Sequence, residues 1–386
     1  MSVVDLEREL DRLLDQWDRA AVRDFRLFEG AETRDIEIGD RPLVLLGAGS
    51  AYARDFAAQA VPGQIVGAID RRAAGTILNG THIEPEAALP ALRQRHPRLL
   101  GLVMAESVEA DCHFRALCSG LDIPLLGPLH SFRRAGFTMT DILGMLYDRQ
   151  TETMLEHRAE WPTLAAQFAD DVSRAVFLAV LLFRLGFERR YLELALSLSQ
   201  AAPSPPWLGD PIRGDHVFVD GGAFDGDTVQ RFLDLTGGRY DQIYAFEPDP
   251  ENFRRLRARF GAAERVRCIE AAVSAAPATL RFASGAGHSS GLSETGTVMV
   301  AAEAIDRIVT RPITALKLDI EGAEAAALAG AAAQIRQNRP GLAIAAYHRP
   351  ADLFDLPRQI AGLDPTYRFA LRHQTHWTHD SILYAW

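Results

Sequence analysis

The run Val217-Phe218-Val219-Asp220-Gly221-Gly222-Ala223-Phe224-Asp225-Gly226-Asp227-Thr228 sets a short apolar strand before a loop of small residues that opens a helix. With so few bulky side chains, backbone can approach a ligand closely, and the amides at the helix N-terminus can meet a carboxylate. Charge separates the cofactors that such a loop could hold. Asp220, Asp225 and Asp227 crowd the place where a dinucleotide would set its anionic pyrophosphate. Carboxylates there repel NAD and suit the sulfonium and amino group of S-adenosylmethionine. In Ala245-Phe246-Glu247-Pro248 an acid ends the next strand, about twenty residues past the last loop glycine, where such folds hold a ribose diol.

Lys317, Asp319 and Glu321 alternate, so they share one face if strand geometry continues, and Glu321-Gly322 marks the turn out of that strand. Glu321 reads equally as an acid capping the following helix. His348 closes a further strand in Ala345-Ala346-Tyr347-His348-Arg349. Carboxyl ends of parallel strands face the ligand crevice, which directs Asp319 and His348 at an acceptor. A neutral imidazole there could take a hydroxyl proton while a methyl group moves in line from sulfur to oxygen. The bland alternative for His348 is a ring bonded to backbone. His373, His376 and His379 fall in what should be the loop of a terminal hairpin, beside Trp377, whose ring could stack on a sugar. Spacing of three in irregular backbone does not converge ligands as a helix does, so no metal site is expected from these histidines, with or without Asp319.

Taken in order, five blocks resemble the FkbM family of methyltransferases: Asp220 to Thr228, Tyr244 to Pro248, Ala271-Ala272-Val273-Ser274, Lys317 to Glu324 and Leu383-Tyr384-Ala385. The resemblance runs from about Val217 to Trp386. It implies methyl transfer from S-adenosylmethionine, with Asp220, Gly221, Gly222, Ala223, Phe224, Gly226 and Thr228 forming the cofactor loop. It further implies that Gly222 to Gly226 lie under the methionine part, that Glu247 binds the ribose, and that Ala271 and Ala272 border the adenine. Asp319 would sit beside the transferred methyl, with His348, Asp319 and Glu321 as the candidate catalytic residues. The acceptor it implies is a hydroxyl on a sugar, a glycan or a related metabolite.

The elements that must position these residues alternate. Strands are expected at Val217 to Val219, Gln242 to Phe246, Val266 to Ala271, Ala315 to Ile320 and Leu342 to Tyr347, with helices at Thr228 to Thr236, Pro250 to Phe260 and Ala323 to Gln337. Such alternation implies a doubly wound, Rossmann-like parallel sheet. Tyr367 to Arg372 and Ser381 to Ala385 add a terminal antiparallel hairpin, an ending typical of methyltransferase sheets. Before this lies a smaller Rossmann-like α/β domain. Its first strand, Pro42 to Gly47, enters Gly47-Ala48-Gly49-Ser50, a helix follows from Tyr52 to Ala60, and Ile65 to Asp70 ends in an acid. Gly47 and Gly49 fit a dinucleotide fingerprint and Asp70 could bind a ribose, but Tyr52 stands where the third glycine belongs. Strand-like Leu99 to Ala105 and Ile123 to Leu126 complete that sheet. Helical pattern fills Thr140 to Gln200, and the prolines between Ala201 and Pro211 break it. The domains expected are therefore 1–130, a helical connector at 131–210, and 211–386, the last able to fold alone from about Asp210. Ser2 and Asp5 form a capping box for a first helix whose Leu6, Leu10, Leu13, Leu14, Trp17 and Ala21 recur at helical spacing. That face suits core packing better than a homodimer contact.

At 386 residues and a formal charge of -10 the chain offers no clustered Lys and Arg for a phosphate backbone, which sets nucleic acid aside. Its three cysteines make no disulfide framework, its first residues are acidic and amphipathic and so unlike a secretory signal, and no apolar run spans a bilayer. A cytoplasmic protein is expected. The readings that compete with methyl transfer are an oxidoreductase or sugar-nucleotide-binding protein using the Gly47 loop, possession of NAD being the mark of the former, and a non-catalytic binding module.

Overall fold

The computed structural model describes residues 1–20, 24–105, 107–138, 150–283, 291–292, 298–376 and 380–386. The chain divides into two compact units. One holds Leu10–Thr151 and Leu182–Arg189; the other holds Met1–Glu9, Glu152–Leu181 and Arg190–Trp386.

In the first unit β1 (Leu43–Leu46), β2 (Ile65–Ile69), β3 (Ile77–Leu78), β4 (Thr81–Glu84), β5 (Leu100–Val103) and β6 (Leu125–Leu126) form one sheet in the order β3-β4-β2-β1-β5-β6. All pairings are parallel except β3 with β4. Successive side chains of a strand point to opposite faces, so a central strand covered on both sides must be apolar throughout. Accordingly Leu43 and Leu45 pack with Tyr52 and Phe56, whereas Val44 and Leu46 pack with Leu92 and Phe114. The β3–β4 hairpin was not expected; Asn79 and Gly80, both left-handed, make its turn.

The second unit is built on seven strands, β7 (Val217–Gly221), β8 (Gln242–Phe246), β9 (Val266–Ile269), β14 (Ala315–Leu318), β15 (Gly341–Ala345), β16 (Phe369–His373) and β17 (Ser381–Ala385). Their order is β16-β17-β15-β14-β7-β8-β9. The expected doubly wound sheet is present: β15, β14, β7, β8 and β9 run parallel, and β16–β17 is the expected terminal antiparallel hairpin. The chain winds outward from β7 to β9 and then returns to β14 on the other side of β7. That reversal opens a crevice at the carboxyl ends of β7 and β14.

Three features of this unit depart from expectation. β14 stops at Leu318, two residues early, because Glu321 and Gly322 turn with φ of 56° and 91°. The helix expected at Ala323 to Gln337 is two, Glu324–Gly330 and Ala332–Asn338, which meet at Ala331. A second small sheet stands between β9 and β14, made of β10 (Ala272–Val273), β11 (Ala278–Ala283), β12 (Gly291–Leu292) and β13 (Val298–Glu303) in the order β10-β13-β11-β12.

The helices expected as a connector do not form a separate body. Residues 152–181 and 190–201 group with the seven-stranded sheet, and 182–189 group with the first unit. Within the second unit they cover the outer edge of β16. Ala169 N–H donates to Phe369 O (2.8 Å), Ser173 Oγ accepts from Leu371 N (3.0 Å) and Arg372 Nη1 (2.7 Å), and Ser199 Oγ accepts from His373 N (2.9 Å). An open sheet edge is thereby closed with polar partners. Part of the expected helical stretch, 140–149, and Ala21 of the first helix lie outside the described residues. The capping box itself is present: Ser2 N donates to Asp5 Oδ2 (2.9 Å), and Asp5 N to Ser2 Oγ (3.2 Å).

Candidate active site

Two hydrogen bonds carry the chain out of β7. Gly222 N and Ala223 N both donate to Phe246 O at the end of β8, at 3.0 and 2.9 Å. The chain can bend this sharply because Gly222 has φ of +76° and no side chain; a Cβ there would lie 2.0 Å from the Asp319 carbonyl oxygen. Gly226, at φ +90°, opens the helix Asp227–Thr236 against the ring of Phe260. Phe224 also takes a left-handed conformation, φ 49°. Its N–H donates to Glu247 Oε2 (2.8 Å), while Glu247 Oε1 accepts from Asp249 N (2.9 Å). Glu247 therefore laces the end of β8 to the glycine loop. Burial pushes its carboxyl up to about 7 against the pull of those two amides.

Asp220 is fully buried. Its register partner on β14 is Lys317, so the two side chains share a face, and Lys317 Nζ lies 3.1 Å from Asp220 Oδ1 while donating to Gly222 O (2.8 Å). Burial pushes the Asp220 carboxyl up to about 6, opposed by the ammonium beside it. This pair braces the floor of the loop. Asp225 is half-exposed and paired to Arg259 at 3.0 Å, which offsets part of the negative charge expected to crowd the loop.

At the ends of β14 and β15 the expected convergence occurs by a turn, because strand alternation ends at Leu318. His348 Nε2 lies 3.5 Å from both Asp319 Oδ1 and Glu321 Oε2, while Nδ1 is 2.8 Å from Glu324 Oε1. Tyr347 donates its hydroxyl to Asp319 Oδ1 at 2.9 Å. Burial disfavours a charged ring, but Glu324, Asp319 and Glu321 together outweigh it and raise His348 to about 9. The neutral imidazole expected from sequence is thus the minority form near neutrality. Burial pushes Glu321 up to about 7 and raises the Tyr347 hydroxyl. Glu324 and Tyr347 escaped the sequence reading. Glu324 sits at the first turn of its helix and also accepts from Ile320 N (2.9 Å) in the turn before it, while the helix start itself carries no side-chain cap, from Glu321 or any other residue.

Residues 220–369 match the model of the Methyltransferase FkbM domain. Over this stretch the chain is similar to that domain. A crystal structure of methyltransferase FkbM from Methylobacillus flagellatus KT is similar over 99% of this chain and 100% of that one, with a TM-score of 0.81 at 24% identity, which extends the likeness in fold to both units. Two others, fibrillarin from Aeropyrum pernix in complex with S-adenosyl-L-methionine and a putative methyltransferase from Streptococcus mutans in complex with SAH, cover 50% and 48% of this chain, and 74% and 98% of their own. Their identities are 15% and 13%, and their TM-scores of 0.32 and 0.31 are too low to bear on function. No curated protein matches.

The second unit thus places Gly221, Gly222, Ala223, Phe224, Gly226, Glu247 and Asp319 at the carboxyl ends of β7, β8 and β14, with His348 and Glu321 beside Asp319. Thr228 stands in the first turn of the helix. Ala271 and Ala272 are buried; Ala272 packs with Val300 and Ala302 of the small sheet. His373 is not in the loop: it ends β16, fully buried, with Nδ1 3.0 Å from Ser381 Oγ. His376 is exposed, and Trp377 and His379 lie outside the described residues. The other glycine loop is differently used. Asp70 accepts from Gly49 N (3.0 Å), Arg72 N (2.8 Å) and Ala73 N (2.9 Å), so the acid expected for a ribose turns back onto its own loop. Tyr52 is buried in the core beside it. Among the described residues no helix is long and apolar enough to cross a membrane.

Proposed function

We propose that this methyltransferase uses S-adenosylmethionine and transfers its methyl group to a hydroxyl oxygen, on a sugar, a glycan or a related metabolite. The observation that carries the reading is the Gly222 turn, clamped between Phe246 and Asp319, with Glu247 fixed at the neighbouring strand end. The chain leaves no room for a side chain there, and the adjoining acid keeps lone pairs for a diol. The methionine part would lie over Gly222 to Gly226, the ribose on Glu247, and the sulfonium near the Asp319 carboxylate. S-adenosylmethionine supplies an electrophilic methyl; the protein holds the acceptor oxygen in line with it and receives the hydroxyl proton on the carboxylates of Asp319 and Glu321, which the His348 ring positions. Asp319, with a third of its side chain exposed, is the most accessible of these. Calorimetry with S-adenosylhomocysteine and with NADH tests the cofactor. Incubation of a cell extract with methyl-labelled S-adenosylmethionine, read by mass spectrometry, tests the acceptor. Label recovered only on nitrogen or carbon would remove the hydroxyl reading.

A further inference from the structure

Three carboxylates surround one imidazole beyond the ends of β14 and β15, and the geometry of that cluster is more than a loop of acids. His348, with a side chain only 3% exposed, directs Nε2 between Asp319 and Glu321 at 3.5 Å from each, too far for a formed hydrogen bond. Nε2 has no hydrogen-bond partner among the described residues, and neither has the buried Glu324 Oε2. Buried polar atoms without partners are uncommon, and two of them in one cluster mark a place shaped for something else. One donor atom each from Asp319, Glu324 and His348 lie within 4.8 Å of one another, a separation that a single ion closes with small side-chain movements.

We propose that Asp319, Glu324 and His348 bind a divalent cation. Carboxylates favour hard ions and an imidazole favours the transition metals, so the mixed set suits Mn2+ best, with Mg2+ as the hard alternative. Water can complete the shell, because Asp319 opens toward solvent while Glu324 and His348 are buried. Glu321 stands beside the ion as a further acid, and Tyr347 holds Asp319 through its hydroxyl. These donors come from the ends of two adjacent strands and the helix between them, so the fold presents them without any contribution from the histidines of the terminal loop. An ion at this position would polarise the oxygen of a bound acceptor and ease loss of its proton. That catalytic consequence rests on the methyl-transfer reading; cation binding itself does not.

The test is titration of the chelator-treated full chain with Mn2+ alone, without methyl donor or acceptor, followed by calorimetry and by the electron paramagnetic resonance of free Mn2+. Wild type should bind a single Mn2+ per chain, and Asp319→Asn and His348→Asn should each weaken it about 10-fold or more. Because a buried ring can matter to folding, the partly exposed Asp319→Asn decides the matter if His348→Asn unfolds early. Undetectable Mn2+ binding by wild type, or equal affinity in Asp319→Asn, overturns the site. S-adenosylhomocysteine binding by the metal-free chain is measured alongside. If it persists while Mn2+ fails to bind, the cation site alone falls; if Mn2+ binds and S-adenosylhomocysteine does not, the cation site stands and the methyl-transfer reading falls.

Discussion

Glu247 is where side-chain chemistry and cofactor recognition meet most directly. Its carboxylate accepts two backbone amides and is the group assigned to the ribose. Glu247→Ala should weaken S-adenosylhomocysteine binding by about 1.5 to 3 kcal/mol, the range for a lost hydrogen bond to a charged group. Burial raises this acid to about 7, whereas ribose hydroxyls donate to its ionised form. Affinity should therefore rise as pH climbs from 6 to 8, and Glu247→Gln should flatten that slope; a wild-type slope of opposite sign would contradict the assignment. At the other end of the crevice, His348→Asn should lower turnover about 100-fold with S-adenosylhomocysteine affinity nearly intact. Near-normal turnover would make the ring structural. Positions that follow from strand ends were legible in sequence: Glu247, Asp319 and His348 stand just beyond the ends of β8, β14 and β15. Glu324 was not, because its contact with His348 depends on the left-handed turn at Glu321-Gly322, and a spacing of five from Asp319 advertises no shared face.

Strands, turns and helices set how tightly the loop can be drawn under a ligand. Gly222→Ala puts a Cβ 2.0 Å from the Asp319 carbonyl oxygen and forces a side chain to φ +76°. Backbone strain alone should cost about 1 to 3 kcal/mol, seen as a lower unfolding temperature, and cofactor binding should be lost with it. A Gly222→Ala protein with unchanged melting and unchanged S-adenosylhomocysteine affinity would place the ligand elsewhere. Hydrophobic period and glycine placement made most of the large sheet readable, including its terminal hairpin. The small sheet of β10 to β13 was missed because β10 and β12 span two residues each, although Thr279-Leu280-Arg281-Phe282 in β11 carries the polar–apolar alternation of a strand. The β3–β4 hairpin carried a usable signal in Asn79-Gly80, a pair whose left-handed backbone suits a two-residue turn.

For the whole molecule, proline density at 201–211 suggested a boundary, yet pairing across it in the second unit ties the chain together. A chain beginning near Asp210 would lose Ala169, Asp170, Ser173 and Ser199, leaving the edge of β16 bare and Arg372 without its ion pair to Asp170. It should aggregate or unfold without cooperativity, whereas a soluble, cooperatively melting fragment would restore the boundary read from the prolines. Local composition cannot show such tertiary pairing, since Ser173 and Ser199 look like ordinary helix residues until β16 lies against them. The most direct test of a methyl-donor site at the Gly222 turn is calorimetric titration of the full chain with S-adenosylhomocysteine, run beside Gly222→Ala and beside NADH. One saturable site for S-adenosylhomocysteine that Gly222→Ala abolishes, and no heat from NADH, is the expected result; binding of NADH alone, or S-adenosylhomocysteine binding indifferent to Gly222→Ala, would contradict a methyl-donor site at the Gly222 turn.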